Sequence, residues 1–400
     1  MSNTLIDRRR FVQFLVASPL LGALGSLASP GQLRAAEGLR GQSIESPDSA
    51  INVFDLEAVA AESLPPAHFG YIQTGVDGDL TLRANEEAFG HYYLRPRRLV
   101  DVSRIDTSVS LFGRTWHSPI ALCPCGSQGA FDEDGEIASA RAARSKDHLQ
   151  ILSTLSSKPI EDVIEARGEP IWFQLYPTGR WDITKRMLRR AEAAGCPVVV
   201  LTVDLPSGVN NRDSLKRAIL RDARECSQCH TPGKRAPMFE GTDFEYTSFS
   251  QATLTWDFVK RLRDETSMKV LIKGIVTAED AERCIEYGAN GIVVSNHGGR
   301  ADETGRAAID SLAEVAPVVN RRVPVLMDSG IRRGNDIIKA LALGADAVCI
   351  GRPYLWGLSA FGQAGVERAL QILTDELKVG MEFAGTPSIK DINRSMVGTA

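Results

Sequence analysis

Eight short apolar runs, separated by segments with a helical spacing of apolar residues, dominate the chain after residue 118. Each run is continuously apolar rather than alternating, which is typical of parallel strands buried on both faces. Eight strand-then-helix units within about 260 residues predict a TIM (β/α)8 barrel, an α/β fold. A doubly wound open sheet is the alternative that the same alternation allows. The predicted strands span residues 119–122, 149–153, 171–176, 197–204, 270–275, 291–296, 324–330 and 347–352.

The remaining segments divide into three regions. The helical spacing is clearest at residues 135–146, 182–194, 278–287, 332–342 and 358–377, so the barrel domain is assigned to residues 119–395. Residues 51–118 precede it and are predicted to be mostly helical, with a break at Leu64-Pro65-Pro66. Residues 206–250 follow the fourth strand and carry many charges and several prolines. We therefore predict a long loop there, lying as a lid over the carboxyl ends of the strands.

Composition excludes several classes of protein. Lys and Arg number 46 and Asp and Glu number 50 in 400 residues, so the formal net charge is −4. Without a basic excess there is no electrostatic reason to expect a nucleic-acid partner. A hydrophobic content of 43% is ordinary for a globular protein and excludes a mainly disordered chain.

The first 36 residues read as an export signal rather than as part of the fold. The Arg8-Arg9-Arg10-Phe11 sequence resembles a twin-arginine signal, and a short apolar stretch follows it to about Ala28. That stretch is too short and too interrupted for a transmembrane helix. Cleavage is expected either near Ala28 or at the Ala35-Ala36 pair, and an N-terminal amphipathic helix is the alternative interpretation. We therefore expect a periplasmic protein.

Polar or small residues stand at the carboxyl end of every predicted strand. Polar groups in buried strands are costly without partners, and the carboxyl ends of TIM-barrel strands form the active face. We therefore expect one site at this rim. Its members are Pro124, Cys125, Gly126, Ser153, Gln174, Tyr176, Thr202, Asp204, Lys273, Ser295, His297, Arg300, Asp328, Gly330, Arg332, Gly351 and Arg352.

The ends of strands seven and eight predict an anion site. Gly330 with Arg332 follows strand seven, and Gly351 with Arg352 follows strand eight. TIM barrels commonly bind phosphate at these two ends, where glycine permits close backbone approach and arginine offers a bidentate donor. Two tight turns with surface arginines are the alternative.

Six motifs in order resemble those of the FMN-dependent 2-hydroxy-acid oxidoreductases, which include glycolate oxidase, lactate oxidase and mandelate dehydrogenase. The resemblance covers nearly all of residues 55–395. The motifs are Phe173-Gln174-Leu175-Tyr176, Leu201-Thr202-Val203-Asp204, Lys273 to Asp280, Ser295-Asn296-His297-Gly298-Gly299-Arg300, Gly330 to Gly334, and Ile350 to Pro353.

The resemblance implies oxidation of a lactate-, glycolate- or mandelate-like 2-hydroxy acid to the 2-keto acid. Electrons would pass through FMN to a quinone, a cytochrome or oxygen. His297 would be the base, because imidazole titrates near neutral pH, and Asp204 would orient it. Arg300 would clamp the substrate carboxylate, and Tyr176 and Tyr71 would hydrogen-bond the substrate.

The resemblance also implies a set of FMN ligands. Lys273 would place a cation beside the part of the flavin ring that becomes anionic on reduction. Asp328 would bind the ribityl hydroxyls. Ser153, Gln174 and Thr202 would hydrogen-bond the ring edges, and Ser295 would lie near them. Pro124, Cys125 and Gly126 would pass the ring, and Gly330, Arg332, Gly351 and Arg352 would hold the phosphate.

The chain departs from the family pattern at three places. Leu155 stands where the family often has an aromatic residue near the substrate. Asn210 takes the place of a second carboxylate-binding arginine, for which Arg212 is the substitute candidate. Gly126 occupies a position where the family has Gly or Ala, so it only weakly indicates a dehydrogenase.

Cys226, Cys229 and His230 form a C-x-x-C-H sequence within the predicted lid. This pattern is typical of covalent haem c attachment, but a metal site, a local disulfide and free thiols remain open. Two other functional interpretations follow: a flavocytochrome or electron carrier that uses this loop, or another FMN barrel enzyme with a non-standard substrate. By analogy with the family we expect a homo-oligomer, and specifically a tetramer.

Overall fold

The computed structural model describes residues 41–206, 211–221, 236–244 and 251–400. The predicted signal at residues 1–36 and the Cys226, Cys229 and His230 motif lie outside these residues. In the part of the chain that the structure describes, no helix has the length and apolar content needed to cross a bilayer.

Three helices open the described chain: α1 (Val53–Ser63), α2 (Pro66–Gln73) and α3 (Leu80–Glu87). Asn52 caps α1 by accepting a hydrogen bond from Phe54 N, while Asp55 accepts one from Asn52 N. The break that was predicted at Leu64-Pro65-Pro66 is confirmed, because α1 ends at Ser63 and Pro66 opens α2. 3-10 turns lie at Pro47–Ser49 and Ala88–His91.

The helical prediction for residues 51–118 is wrong after residue 91. Strands β1 (Tyr92–Leu94), β2 (Val109–Leu111) and β3 (Arg114–Trp116) occupy that part, with irregular chain between them. β2 and β3 pair as an antiparallel hairpin. β1 pairs with β12 (Val397–Thr399) at the other end of the chain, which anchors the N-terminal segment beside the C-terminus.

Eight parallel strands close into a barrel, which confirms the predicted fold and excludes the open sheet. Their order around the barrel is β4 to β11, with β11 pairing β4. Several observed strands are shorter than predicted at their carboxyl ends, by one to three residues. The residues at these ends leave the hydrogen-bonded strand and line the site. The eight strands are β4 (Ile120–Leu122), β5 (Leu149–Ser153), β6 (Trp172–Leu175), β7 (Val198–Thr202), β8 (Lys269–Ile275), β9 (Gly291–Val294), β10 (Val325–Met327) and β11 (Ala347–Ile350).

Helices cover the outside of the barrel. The last helix, α12, is broken at Phe361 and Gly362, where the backbone leaves helical angles, and it packs against α1. The remaining helices are α4 (Glu136–Ser145), α5 (Ile160–Arg167), α6 (Trp181–Ala193), α7 (Asp213–Arg221), α8 (Trp256–Glu265), α9 (Ala278–Glu286), α10 (Ala308–Val319), α11 (Gly334–Ala342) and α12 (Arg352–Ala384). Shorter 3-10 turns lie at Gln128–Ala130, Pro237–Phe239, Ile389–Asp391 and Arg394–Met396.

Helix α7 lies inside the segment that was predicted to be a loop. Its apolar residues recur at helical spacing, and Ala218 packs on Gly70 of α2, where an added Cβ would come within 2.8 Å of the Ala218 Cβ. Tyr71, the next residue of α2, lines the central cavity. The described part of residues 206–250 therefore contains a helix that rests on a wall of the site.

Candidate active site

The carboxyl ends of the strands surround one cavity, whose empty space including the open mouth is about 920 Å³. Of the residues predicted for the active site and for FMN, all but Asp204 and Ser295 line this cavity. The predicted residues on its wall are Tyr71, Pro124, Cys125, Gly126, Ser153, Gln174, Tyr176, Thr202, Lys273, His297, Arg300, Asp328, Gly330, Arg332, Gly351 and Arg352. Asp204 and Ser295 lie directly behind this wall and contact its members.

His297 is held between an acid and a phenol. Its Nδ1 is 2.8 Å from Asp204 Oδ1, and its Nε2 is 3.1 Å from the Tyr176 hydroxyl. An ionised carboxylate can only accept, so Nδ1 carries the hydrogen and the lone pair of Nε2 accepts from the Tyr176 hydroxyl. The Nε2 atom therefore faces the cavity as a proton acceptor beside Tyr176.

The electrostatic surroundings of His297 favour the neutral form of its ring. Burial is the largest effect and lowers the pKa of His297, and the charge of Lys273 acts in the same direction. The Asp204 carboxylate raises the pKa and opposes part of that shift. Burial alone would raise the pKa of Asp204, but the hydrogen bond from His297 and its electrostatic interactions with His297 and Lys273 outweigh burial and lower the pKa, which favours the ionised acid.

The backbone around His297 is unusual. His297 has φ +59°, in the left-handed region, and Gly298 and Gly299 follow with φ +68° and +75°. A Cβ on Gly299 would lie 2.5 Å from the backbone nitrogen of Leu82, so only glycine fits there. Such conformations persist where the surroundings hold them, and they concentrate at functional sites.

Lys273 is a buried cation with acidic neighbours. Its Nζ lies 3.3 Å from Asp328 Oδ2 and 3.7 Å from Asp204 Oδ2, and it donates to Ser295 Oγ at 2.7 Å. Burial would lower the pKa of Lys273, but the two carboxylates outweigh burial and raise it. Lys273 therefore stays charged at the cavity wall.

Ser295, which was predicted to lie near the residues at the ring edges, is buried behind the cavity wall. Its hydroxyl accepts from Lys273 Nζ and from His297 N, and it donates to Asp328 Oδ1 at 2.7 Å. These three bonds join the cation, the acid and the base of the site. Ser295 therefore positions other site residues and does not itself face the cavity.

Gln174 is fixed by the hydroxyl groups beside it. Its Oε1 accepts from Ser153 Oγ at 3.2 Å, and its Nε2 donates to Thr202 Oγ1 at 2.9 Å. The three side chains come from adjacent strands β5, β6 and β7. They present a preset row of polar groups to the cavity.

Three guanidinium groups converge on the same cavity. Arg352 donates to the carbonyl oxygens of Ile72, Gly298 and Thr74. Burial, reinforced by the charges of Arg332 and Arg300, lowers the pKa of Arg352 to about 9. Keeping three cations together is costly, and an anion bound among them would remove that cost.

The strand-end glycines shape this cationic corner. Gly330 has φ +92°, and a Cβ there would lie 2.0 Å from the Asn85 carbonyl oxygen. Arg332 donates through Nη1 to the Ile331 carbonyl, and its guanidinium lies 5.0 Å from the Trp356 ring centre. Arg332 and Arg352 both line the cavity and are therefore not surface arginines of two tight turns.

Arg300 is the cation nearest Tyr71. Its guanidinium lies 4.5 Å from the centre of the Tyr71 ring, and it donates to the backbone carbonyls of Tyr71 and Thr74. The Arg300 guanidinium lines the cavity, where it can meet a substrate carboxylate.

The structure describes two of the three positions at which the chain departs from the family pattern. Leu155 lines the cavity beside Gly126, and a Cβ on Gly126 would come within 2.9 Å of the Leu155 Cβ. Arg212 does not line the cavity: its backbone bridges Asp77 beside α2. Asn210 lies outside the described residues. Arg212 is therefore not a substitute for a second carboxylate-binding arginine.

Sequence reasoning missed several members of the site. Ser329 lines the cavity with φ +78°, accepts a hydrogen bond from Gly298 N at 2.9 Å and donates to Asp328 Oδ1. Its place between Asp328 and Gly330 at a strand end was a usable signal. Cys123 and Cys349 belong to the buried core and also line the cavity. Both are free thiols.

Comparison with known proteins identifies the family. The model of the FMN-dependent dehydrogenase family matches residues 60–399. An L-lactate oxidase from Lysinibacillus sphaericus is 40% identical over 351 residues, which cover 84% of this chain and 90% of that protein. A 2-hydroxyacid oxidase from Dictyostelium discoideum is 37% identical, covering 88% of this chain and 90% of that protein.

Solved structures agree with the sequence comparison. A mandelate oxidase structure superposes with a TM-score of 0.78 at 36% identity, covering 88% of this chain and 99% of that one. A lactate oxidase structure from Pediococcus acidilactici has a TM-score of 0.81 at 35% identity, covering 90% and 97%. This chain therefore belongs to the FMN-dependent dehydrogenase family and is an FMN-dependent 2-hydroxy-acid oxidoreductase.

Proposed function

We propose that this enzyme oxidises a small 2-hydroxy acid with His297 as the base, Arg300 as the carboxylate ligand and FMN in the barrel mouth. One observation carries the proposal. The imidazole Nε2, 3.1 Å from the Tyr176 hydroxyl and backed by Asp204 at 2.8 Å, shares a single cavity with Lys273 and three arginines. An acceptor for a proton and ligands for two anionic groups therefore face the same space.

The cavity residues fit FMN. Among the described residues, no hydrogen-bond partner faces the buried Arg332 Nε, and the charge of Arg332 acts on the half-buried Arg352. These two arginines would hold the phosphate, and Asp328 would accept hydrogen bonds from the ribityl hydroxyls. Lys273, Gln174, Ser153 and Thr202 would meet the ring. When bound, FMN supplies a two-electron acceptor.

Proton removal is assigned to His297. A neutral imidazole is needed to accept a proton, and the lowered pKa of His297 keeps it neutral at pH 7. Asp204 then lies opposite the positive charge that the ring acquires, and stabilises it at 2.8 Å. Tyr176 would share the substrate hydroxyl with Nε2.

Substrate binding is assigned to Arg300 and Tyr71. The Arg300 guanidinium lies 4.5 Å from the centre of the Tyr71 ring, and a guanidinium can bind a carboxylate through a bidentate contact. Arg332 and Arg352 would be taken by phosphate, so Arg300 remains for the substrate. This supports a monocarboxylate of the lactate, glycolate or mandelate type. Leu155, lining the same cavity, bounds the space for its side chain.

Anaerobic mixing tests this proposal. Addition of lactate, glycolate or mandelate to the purified holoenzyme should bleach the flavin absorbance band, and one enantiomer of each chiral acid should dominate. Later addition of oxygen or of a quinone analogue shows which acceptor restores the colour faster. A holoenzyme that keeps its flavin band with all three acids would contradict the substrate class.

We also propose a periplasmic location and a homo-oligomeric assembly. The Arg8-Arg9-Arg10-Phe11 sequence supports twin-arginine export to the periplasm. There a quinone or a cytochrome would be as accessible as oxygen, and a homo-oligomer, with a tetramer as the reference, is expected by family analogy. Replacing Arg8 and Arg9 by Lys should leave the flavoprotein in the cytoplasmic fraction. A periplasmic fraction unchanged by that replacement would contradict the export route.

A further inference from the structure

Glu86 forms an ion pair with one of the two arginines assigned to the phosphate. Glu86 Oε1 lies 2.9 Å from Arg332 Nη2, and the Glu86 charge also acts on Arg352. Glu86 stands in the last turn of α3, where the helix dipole disfavours a carboxylate. Its side chain is 26% exposed, whereas that of Arg332 is 7% exposed. The pair therefore joins a buried cation to an acid near the surface.

Arg332 does not need this acid to keep its orientation. Its Nη1 donates to the Ile331 carbonyl at 2.9 Å, and its guanidinium packs 5.0 Å from the centre of the Trp356 ring. Both contacts come from buried parts of the barrel domain. The Glu86 carboxylate therefore contributes negative charge to the pair and little to the orientation of the Arg332 guanidinium.

A phosphate at Arg332 would meet that carboxylate. The phosphate monoester of FMN carries between one and two negative charges at pH 7, since its second pKa is about 6. Two anions that share one guanidinium repel each other, and partial burial strengthens the repulsion. Because Glu86 reaches Arg332 from the exposed side, it is the partner that can turn away.

We propose that Glu86 competes with the FMN phosphate for Arg332, so that its carboxylate weakens FMN binding and speeds FMN release. The proposal rests on the FMN site of the proposed function and adds a residue that tunes it. It assigns Glu86 no contact with the substrate. It also predicts a preference: Glu86 should oppose FMN but not riboflavin, which has the same ring and ribityl chain without the phosphate.

The test compares Glu86→Gln and Glu86→Ala with the wild type and with Glu87→Gln, an exposed neighbour on the same helix. FMN release from the holoenzyme is followed by the rise in free flavin fluorescence. The flavin-free protein is then titrated with FMN and, separately, with riboflavin. Thermal unfolding of each protein confirms that the variants fold.

Both Glu86 variants should bind FMN on the order of threefold to tenfold more tightly and release it more slowly. Riboflavin affinity should not change, Glu87→Gln should match the wild type, and added salt should shrink the difference. Weaker or unchanged FMN binding in both Glu86 variants would overturn the competition, as would an equal change for FMN and riboflavin. A wild-type protein that binds riboflavin and FMN equally would show that the phosphate site itself is misplaced, while substrate-driven bleaching would still test the proposed function.

Discussion

Two histidines at opposite ends of the barrel, one buried and one half-buried, show how the same side chain serves different purposes. His148 precedes β5 at the amino end, is 1% exposed, and contacts the Ile120 carbonyl and Ser118 Oγ, each at 3.1 Å. His297 follows β9 at the carboxyl end, with its side chain 20% exposed to the cavity. Burial lowers the pKa of both rings, to about 4 for His148. A lowered pKa alone therefore does not identify a catalytic histidine.

Their partners make the difference. His148 contacts a backbone carbonyl and a hydroxyl, and burial outweighs the hydrogen bond to the Ile120 carbonyl that would favour a proton on its ring. His297 has the Asp204 carboxylate behind it and an open cavity in front. An acid on one nitrogen and accessible space at the other are what turn a buried histidine into a base.

The arginines repeat this contrast. Arg167 lies at the amino end, donates to the His148 carbonyl and pairs with Glu169 at 3.1 Å. Arg352 lies at the carboxyl end, where the nearby charges that lower its pKa belong to two other arginines. One end of the barrel neutralises its buried charges internally, and the other leaves a cationic corner for a ligand.

The largest expected effect separates the two histidines by activity. His297→Gln should lower kcat roughly a hundredfold to ten-thousandfold, because the proton acceptor is lost. Flavin binding should survive, and substrate-driven bleaching in a stopped-flow instrument measures the rate. His148→Gln should keep kcat. Equal activity loss in the two variants would show that His297 acts only through the fold.

Stability at acid pH should also distinguish the two histidines, with His148 as the one whose replacement has the effect. The folded pKa of His148 is about 4 and the unfolded value is about 6.5, so the unfolded chain binds a proton first as the pH falls. Above pH 6.5 the His148 ring is neutral in the folded and the unfolded protein, so it does not change the free energy of unfolding. As the pH falls to 4, His148 lowers the free energy of unfolding by about 3 kcal/mol. Urea titrations across this window should show a shallower pH slope for His148→Gln than for the wild type. Parallel slopes would contradict the assignment.

Two buried acids extend the comparison. Asp204→Asn should lower kcat roughly a hundredfold, because the imidazolium loses its counter-charge. Since Asp204 raises the pKa of His297, its loss should also move the acid limb of the kcat/KM profile to lower pH. Asp346, which accepts from Val325 N at the amino end, is the matched control. Asp346→Asn should leave the profile in place, and an acid limb moved upward by Asp204→Asn would contradict the model.

The smallest effect concerns the arginine on the substrate side. Arg300→Lys should raise KM roughly tenfold, because an ammonium group cannot make the bidentate contact. Arg322→Lys changes an exposed arginine paired with Glu282 at the amino end and serves as the control. Steady-state kinetics measures both. An unchanged KM in Arg300→Lys would transfer carboxylate binding to another group.

Much of this architecture was readable from patterns. Continuously apolar runs such as residues 149–153 and 198–202 predicted buried parallel strands, because strands covered on both faces need no polar alternation. Helix α7 was missed, since its charges and neighbouring prolines concealed a helical spacing of apolar residues. Residues 92–118 were taken as helical because three-residue strands leave almost no periodic signal.

The sequence by itself determined the barrel, the end at which its chemistry lies and the residue types gathered there, because apolar periodicity and strand-end polarity are local properties. Only the tertiary structure decided which of those residues face the cavity. It placed Ser295 behind the wall, left Arg212 beside Asp77 and brought Glu86 onto Arg332. Glu86 and Arg332 are far apart along the chain, and only packing of the N-terminal helices over the barrel brings such charges together.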